Sequence, residues 1–183
     1  MRIEGYAVVS EDGMLATADR VMPDALIVKA DQEFFEHGLD GVDVVVHGRH
    51  SQERQARSAS RKRLMLTTRV ASVEAHPANP NCLLWNPAGA PLEDALASLG
   101  RPGGSLGVIG GAEVFALFLD RYDVFHLSRV AGLTIPGGLP VFPGVPETTP
   151  EAILAAHGLI AGPSEVLDAV RGLRLMSWRP AAG

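Results

Sequence analysis

The sequence predicts an α/β domain built on a mainly parallel central sheet. Short, near-continuous apolar runs that are typical of buried strands alternate along the chain with segments whose apolar residues have helical spacing. This alternation indicates strands joined by helices that cover both faces of the sheet. The length of 183 residues suits one hydrophobic core. We therefore expect residues 1–183 to form a single domain.

Local patterns place the individual elements in order. Apolar runs bounded by turn residues predict strands over residues 3–10, 42–47, 64–66, 82–85, 106–109 and 124–128. Helical spacing, together with start and stop residues, predicts helices over 31–40, 91–99 and 112–119. Two apolar segments on either side of Arg171-Gly172, 166–170 and 173–178, predict a terminal antiparallel hairpin. The Gly- and Pro-rich segment 135–146 is expected to be a long loop.

Composition excludes several classes of function. The formal net charge is −5 and the sequence pI is about 5.6, so the chain as a whole is not built to bind nucleic acid. Cys82 is the one cysteine, which excludes an internal disulfide, and the six histidines have no metal-ligand spacing. No apolar run reaches membrane-spanning length and the N-terminus lacks a signal pattern. We expect a cytoplasmic protein that binds neither a membrane nor a metal.

Two adjacent glycines, Gly110 and Gly111, join a predicted strand to a predicted helix. Strand 106–109 precedes them, and helical spacing begins directly after them with Ala112 and Glu113. Glycine allows backbone conformations and close approaches that a side chain forbids, and the N–H groups at the start of a helix favour a bound anion. The pair is therefore either an anion-binding turn or an ordinary tight turn of an α/β protein.

Polar and cationic side chains follow two of the predicted strands. The group after strand 42–47 is Gly48, Arg49, His50 and Ser51, and the group after strand 64–66 is Thr67, Thr68 and Arg69. Open parallel sheets bind ligands at the carboxyl ends of their strands, where both groups are expected to lie. An arginine can bind a phosphate through two parallel hydrogen bonds, and hydroxyls add further donors. The two groups predict one shared polyanionic ligand, although a single arginine is more often part of a solvated loop.

The order of these motifs resembles the dihydrofolate reductase superfamily, which includes the reductase domain of bacterial riboflavin biosynthesis. The resemblance is carried by segments 44–51, 61–68, 108–115 and 124–128. It implies the dihydrofolate-reductase-like fold, a cis peptide bond between the two glycines, and NADPH as the cofactor, with its 2′-phosphate at the groups after the two strands. The cofactor-binding residues that it implies are Gly48, Arg49, His50, Ser51, Thr67, Thr68, Arg69, Ile109, Gly110, Gly111, Ala112, Glu113, Val114 and Phe115.

The same resemblance assigns three residues to the substrate. Asp31, followed four residues later by Phe35, resembles the acid and the aromatic residue of the helix that binds the pterin ring. There the carboxylate anchors the ring and assists its protonation. Arg61 matches the arginine that binds the carboxylate tail of folates. From its place at the end of strand 124–128, Ser128 is expected to offer its hydroxyl to the substrate or to a water beside Asp31. The alternative for Asp31 is a structural role as the N-cap of its helix.

Three features of the sequence help to distinguish a folate reductase from a riboflavin-pathway reductase. Asp24 stands where folate reductases usually have a tryptophan, and residues 136–138 depart from their usual loop. Segment 10–16 resembles the opening of the riboflavin-pathway reductases. The leading prediction is an NADPH-dependent reductase of 7,8-dihydrofolate, a monomer or homodimer whose partner is a small molecule. The alternatives are a reductase of a phosphoribosylated aminopyrimidine and a nucleotide-binding protein without turnover.

Overall fold

The computed structural model describes residues 1–51, 55 and 57–181, and over these residues it contains eleven strands and four α-helices. The strands are β1 (Ile3–Val9), β2 (Met14–Ala16), β3 (Val44–Gly48), β4 (Lys62–Leu66), β5 (Val73–Ala75), β6 (Cys82–Trp85), β7 (Leu106–Val108), β8 (Val124–Val130), β9 (Leu139–Pro140), β10 (Leu159–Asp168) and β11 (Leu173–Pro180). The helices are α1 (Lys29–Asp40), α2 (Leu92–Ser98), α3 (Ala112–Leu117) and α4 (Pro150–Ala156). Short 3₁₀ turns cover Asp24–Leu26, Ser58–Ser60 and Leu119–Arg121.

Nine strands form one sheet in the order β10-β11-β8-β1-β7-β3-β4-β6-β5, while β2 and β9 pair separately. The strands from β8 to β6 in this order run parallel to one another. Strand β5 and the β10–β11 hairpin are antiparallel at the two edges. The mainly parallel sheet and the terminal hairpin are confirmed. Strand β10 starts earlier than the sequence predicts, and its two register shifts interrupt the alternation that would reveal it.

Helices cover both faces of the sheet, as predicted. Helices α2, α3 and α4 contribute to the larger apolar cluster, in which Phe115 and Phe125 are fully buried. Helix α1 lies over a smaller cluster of Tyr6, Leu39 and Val45. Successive residues of a strand point to opposite faces, so the two clusters use opposite sides of the same strands.

Helix α1 approaches the sheet closely at Gly38. A Cβ atom at this position would lie 2.5 Å from the Tyr6 hydroxyl oxygen and equally close to its ring. The Tyr6 ring stacks on His126 with 4.9 Å between centroids, and its hydroxyl donates to Glu4. Because this ring is held in place, the missing side chain at residue 38 sets the height of α1 above the sheet.

The start of α1 differs from the sequence prediction. The helix begins at Lys29, and its N-cap is Val28, which makes no side-chain capping bond. The prediction of Asp31 as an N-cap is therefore wrong, because Asp31 is the third residue of the first turn. Val28 is buried, so apolar packing rather than a polar cap fixes where the chain enters the helix.

Helix α4 is missing from the sequence prediction, although its start carries a signal. Thr149 is the N-cap and accepts a hydrogen bond from the Ala152 N–H at 3.2 Å, and Pro150 is the first helical residue. The helix has only seven residues. So short a segment shows little of the apolar period from which helices are predicted.

Candidate active site

Asp31 is buried in the first turn of α1, against Ser128 of β8. The two residues are 9% and 2% exposed. Burial raises the pKa of the Asp31 carboxyl to about 6, and a hydrogen bond with the Ser128 side chain opposes this shift. Asp31 forms no ion pair with the residues that the structure describes. A carboxyl group in this state can hold and release a proton close to neutral pH.

Two phenylalanines of α1 accompany Asp31. Phe35 lies one turn further along the helix and contacts Tyr6 edge-on, with ring centroids 6.1 Å apart. Phe34 contacts both Tyr6 and His126. Both phenylalanines are half-buried in the same small cluster, so either ring is close enough to the sheet to pack beside a ligand there. Burial also lowers the pKa of His126 to about 4, so this imidazole is neutral at pH 7.

The glycine turn lies at the carboxyl ends of β3 and β7. The Gly48 N–H donates to the Gly110 carbonyl at 2.8 Å. Gly110 has a φ of +93°, and a Cβ there would lie 2.7 Å from the Phe115 ring, so a side chain is excluded. The Gly110-Gly111 peptide bond is cis, as the resemblance implies. Only β1 separates β7 from β8, so the turn and Ser128 lie two strand spacings apart, about 10 Å.

The other predicted residues around this turn differ in exposure. In order of increasing burial they are Glu113, then Ile109 and Ala112, then Val114 and Phe115. The N–H groups of Val114 and Phe115 both donate to the Gly111 carbonyl, at 2.9 and 3.0 Å. Their side chains belong to the larger apolar cluster. Val114 and Phe115 therefore support the turn from the core side, whereas Glu113 faces solvent.

Four cationic or imidazole side chains gather beside the carboxyl end of β3. The Nε2 atom of His50 lies 3.1 Å from Nη2 of Arg49 and 3.2 Å from Nη1 of Arg20. Desolvation and the charges of Arg20, Arg49 and Arg69 lower the pKa of His50. We call these residues the cation cluster: Arg20, Arg49, His50 and Arg69. Sequence reasoning found three of them but missed Arg20, because no local pattern links the loop before α1 to this edge of the sheet.

The second predicted group lies at the neighbouring strand end. Thr67, Thr68 and Arg69 follow β4, which pairs with β3. The Arg69 N–H donates to the Thr67 hydroxyl at 3.2 Å, while Thr68 and Arg69 are exposed. Ser51 and Arg49 line a cavity of about 340 Å³. The other lining residues are His47, Arg63, Met65, His76, Asn79 and Cys82. The structure thus brings both predicted groups to one edge of the sheet.

Arg61 is engaged with α1 rather than open towards a ligand. Its Nη2 atom lies 2.6 Å from Oδ1 of Asp40, and its side chain is 8% exposed. Arg57 contacts Oδ2 of the same carboxylate at 3.0 Å. The hydrogen bond from Arg61 and the charge of Arg57 lower the pKa of Asp40. The binding of a substrate carboxylate by Arg61 stays a prediction, and such a carboxylate would compete with Asp40.

The described residues contain neither a membrane-spanning helix nor a metal-binding cluster. No helix among them is long and apolar enough to cross a bilayer. Within the same part of the chain, no three His, Cys, Asp or Glu side chains lie together in a way that could hold a metal ion. Asp24, which the resemblance compares with the folate-reductase tryptophan, is exposed at the start of a 3₁₀ turn.

No protein-family profile matches this sequence, and no curated protein matches it either. Solved structures do match over almost the whole chain. A protein assigned to riboflavin biosynthesis from Shewanella sp. PV-4 aligns with a TM-score of 0.66 and 18% identity over 98% of both chains. Dihydrofolate reductase from Enterococcus faecalis, complexed with NADP(H), aligns with a TM-score of 0.63 and 15% identity over 99% of this chain and 97% of that chain.

A third similar structure is the diaminohydroxyphosphoribosylaminopyrimidine deaminase/5-amino-6-(5-phosphoribosylamino)uracil reductase of Thermotoga maritima. It aligns with a TM-score of 0.67 and 17% identity over 98% of this chain, which corresponds to 56% of the Thermotoga chain. The fold is therefore dihydrofolate-reductase-like. A folate reductase and a riboflavin-pathway reductase both share this fold with the chain.

Proposed function

We propose that the protein is an NADPH-dependent reductase that transfers hydride to a pterin-type heterocycle, with 7,8-dihydrofolate as the leading substrate and tetrahydrofolate as its product. The observation that carries this proposal is the state of Asp31, a buried carboxyl with a pKa of about 6 that is held by Ser128. The reductases among the similar structures support the reaction class. A cytoplasmic location and a monomeric or homodimeric state stay predictions.

The residues present fit the phosphates of such a cofactor. The three guanidinium groups of the cation cluster form no ion pair with any carboxylate that the structure describes. Hydroxyls of Thr67 and Thr68 stand at the adjacent strand end. Arginine forks and hydroxyls are the donor set that a phosphate monoester prefers. In the strand order, the glycine turn at β3 and β7 lies between the cluster and Ser128 on β8, where the rest of a dinucleotide would lie.

The chain's own residues supply binding, orientation and an acid. When bound, NADPH supplies the hydride. Burial keeps a proton available on Asp31, and the carboxyl would pass it to the ring nitrogen beside the carbon that accepts the hydride. The Ser128 hydroxyl would donate to the carboxylate that remains and hold its orientation. Phe35 would pack on the ring and exclude water from one side.

A second candidate substrate is the phosphoribosylated aminopyrimidine of riboflavin biosynthesis. One observation favours it: the arginine expected to bind a folate tail is nearly buried and is already paired with Asp40. The Ser10 hydroxyl contacts Asp12 at 2.5 Å, within the segment that resembles the riboflavin-pathway reductases. This candidate uses the same cofactor site and differs in the heterocycle and in the phosphoribosyl group attached to it.

Steady-state oxidation of NADPH, followed by its absorbance, tests the proposal. We expect turnover with 7,8-dihydrofolate, and methotrexate-like antifolates should inhibit it. Turnover of the aminopyrimidine alone would move the assignment to the second candidate. Tight binding of NADPH without turnover of either substrate would reject both enzyme assignments and leave a nucleotide-binding protein.

The cofactor assignment has its own test. Titration calorimetry should show that NADPH binds at least about tenfold more tightly than NADH, because charge-assisted hydrogen bonds to the 2′-phosphate are lost with NADH. Arg49→Ala should remove most of that difference. Equal affinities of the unmodified protein for both cofactors would reject NADPH as the specific cofactor.

A further inference from the structure

The loop before α1 carries a guanidinium group into the cation cluster. Arg20 Nη1 lies 3.2 Å from His50 Nε2, and Arg49 reaches the same atom at 3.1 Å from the end of β3. The Nε2 atom of His50 is therefore the shared acceptor for two guanidinium groups. Arg69 adds a third positive charge nearby. No carboxylate among the described residues pairs with any of the three. Positive charges that lie together without a carboxylate create a positive potential, and this potential attracts an anion.

The backbone of this loop fixes the direction of Arg20. The Thr17 N–H donates to the Val21 carbonyl at 2.9 Å, and the Arg20 N–H donates to the Thr17 carbonyl at the same distance. The Thr17 hydroxyl adds contacts to the Val21 carbonyl and N–H at 3.2 and 3.3 Å. Arg20 itself has a φ of +65°, in the left-handed region that residues other than glycine seldom adopt. A closed turn therefore presents this side chain to the cluster.

We propose that Arg20 is a specificity-determining residue, which binds the 2′-phosphate of the dinucleotide together with Arg49 and Arg69. This inference rests on the proposed function and deepens it. A phosphate monoester carries about two negative charges at pH 7, more than each phosphate of the pyrophosphate bridge, and its three terminal oxygens can accept from several guanidinium forks. In the complex, phosphate oxygens replace the His50 lone pair as the acceptor for Arg20 and Arg49. NADH lacks this group and leaves Arg20 on His50.

Binding of a phosphate by Arg20 would also affect the segment that leads to Asp31 on the substrate side of the site. The chain runs from Arg20 through the turn Asp24–Leu26 directly into α1 and Asp31. A phosphate that holds Arg20 therefore also holds the segment through which the chain enters this helix.

Calorimetric titration of NADPH, NADH and 2′-AMP into the unmodified protein, Arg20→Gln and Arg20→Lys tests this inference. The glutamine variant should lose about tenfold in affinity for NADPH and 2′-AMP and almost nothing for NADH. The lysine variant keeps the charge without the planar fork, so its loss should be smaller, about threefold. The matched control is Arg101→Gln, an exposed arginine in the loop that leads into the amino end of β7, and its three affinities should stay unchanged.

The outcomes separate this inference from the proposed function. Equal losses for NADPH and NADH would place Arg20 on the pyrophosphate and overturn the inference, and so would unchanged affinities. If the unmodified protein prefers NADPH and Arg20→Gln keeps that preference, the cofactor assignment stands and only the role of Arg20 fails. If the unmodified protein has no preference, the cofactor assignment itself fails. Thermal melting of each variant verifies that it is folded, and Arg20→Lys provides the same comparison if Arg20→Gln is not.

Discussion

Helix α1 carries an aspartate near each end, and the two have opposite properties. Asp31 is buried beside Ser128, and burial raises its pKa to about 6. Asp40 is the last residue of the helix, and the hydrogen bond from Arg61, with the charge of Arg57, lowers its pKa. The residue type and the helix are the same, so the difference comes from solvent and cations. A carboxylate paired with arginines stays ionised and stabilises the fold. A buried carboxyl without a cation keeps its proton to higher pH and can act as an acid.

The largest expected effect concerns the pH dependence of stability. The pKa of Asp31 is raised from 3.8 to about 6 in the folded state. Its contribution to stability is therefore complete below about pH 4 and lost as the pH rises through about 6, a loss of about 3 kcal/mol when complete. Asp31→Asn removes this titration. The variant should be more stable than the unmodified protein at pH 8, and the advantage should disappear near pH 4. Urea denaturation at both pH values measures it, and a pH-independent difference would contradict burial as the cause.

The second effect is on catalysis by Asp31. Asp31→Asn keeps the shape of the side chain but removes the proton donor and the charge that pairs with the ring. A charged hydrogen bond contributes about 1.5–3 kcal/mol, so turnover of dihydrofolate should fall roughly ten- to a hundredfold. The loss should be partly relieved at lower pH, where more of the substrate is already protonated. Full turnover of dihydrofolate in this variant would contradict a catalytic role for Asp31.

The smallest effect is expected at Asp40, and it has the opposite sign. The lowered pKa of Asp40 means that its contribution to stability is present above the ordinary pKa of aspartate and is lost as the pH falls through the lower folded value. Asp40→Asn should lower the melting temperature by a few degrees at neutral pH and by less near pH 3. NADPH affinity should not change, because the cation cluster does not include this residue. A tighter folate complex in this variant would indicate that Arg61, once released, binds the substrate tail.

The sequence predicts the sheet better than its connections. Strands such as β6 and β7 are continuous apolar runs bounded by turn residues, and their ends agree with the structure to within one residue. Strand β10 is largely exposed and contains register shifts, so it gives neither an apolar run nor a clean alternation. The two-residue strand β9 is set by its pairing with β2 across more than a hundred residues of chain, which no local pattern reports.

In the candidate site too, residues at strand ends could be predicted from the sequence, whereas residues placed by loops or helix packing could not. Residues that follow strands, such as Arg49 and Gly110, could be placed from sequence because the carboxyl ends of parallel strands share one edge. Arg20 could not, because a closed loop brings it to that edge. The pairing of Arg61 with Asp40 was equally hidden, since it depends on how α1 lies against the chain after β3. Asp31 was predicted from the resemblance of Asp31 and Phe35 to a pterin-binding helix, but its raised pKa depends on burial that only the fold defines.

Gly38 helps to set the position of Asp31. It lies about two turns from Asp31 on α1, and its bare backbone rests on a tyrosine that cannot move aside because His126 and Glu4 hold it. Even an alanine there would wedge the helix away from the sheet and draw the carboxyl at its other end off Ser128. A side chain at Gly38 is therefore expected to disturb the site at Asp31, although Gly38 is not among the residues assigned to the cofactor or the substrate.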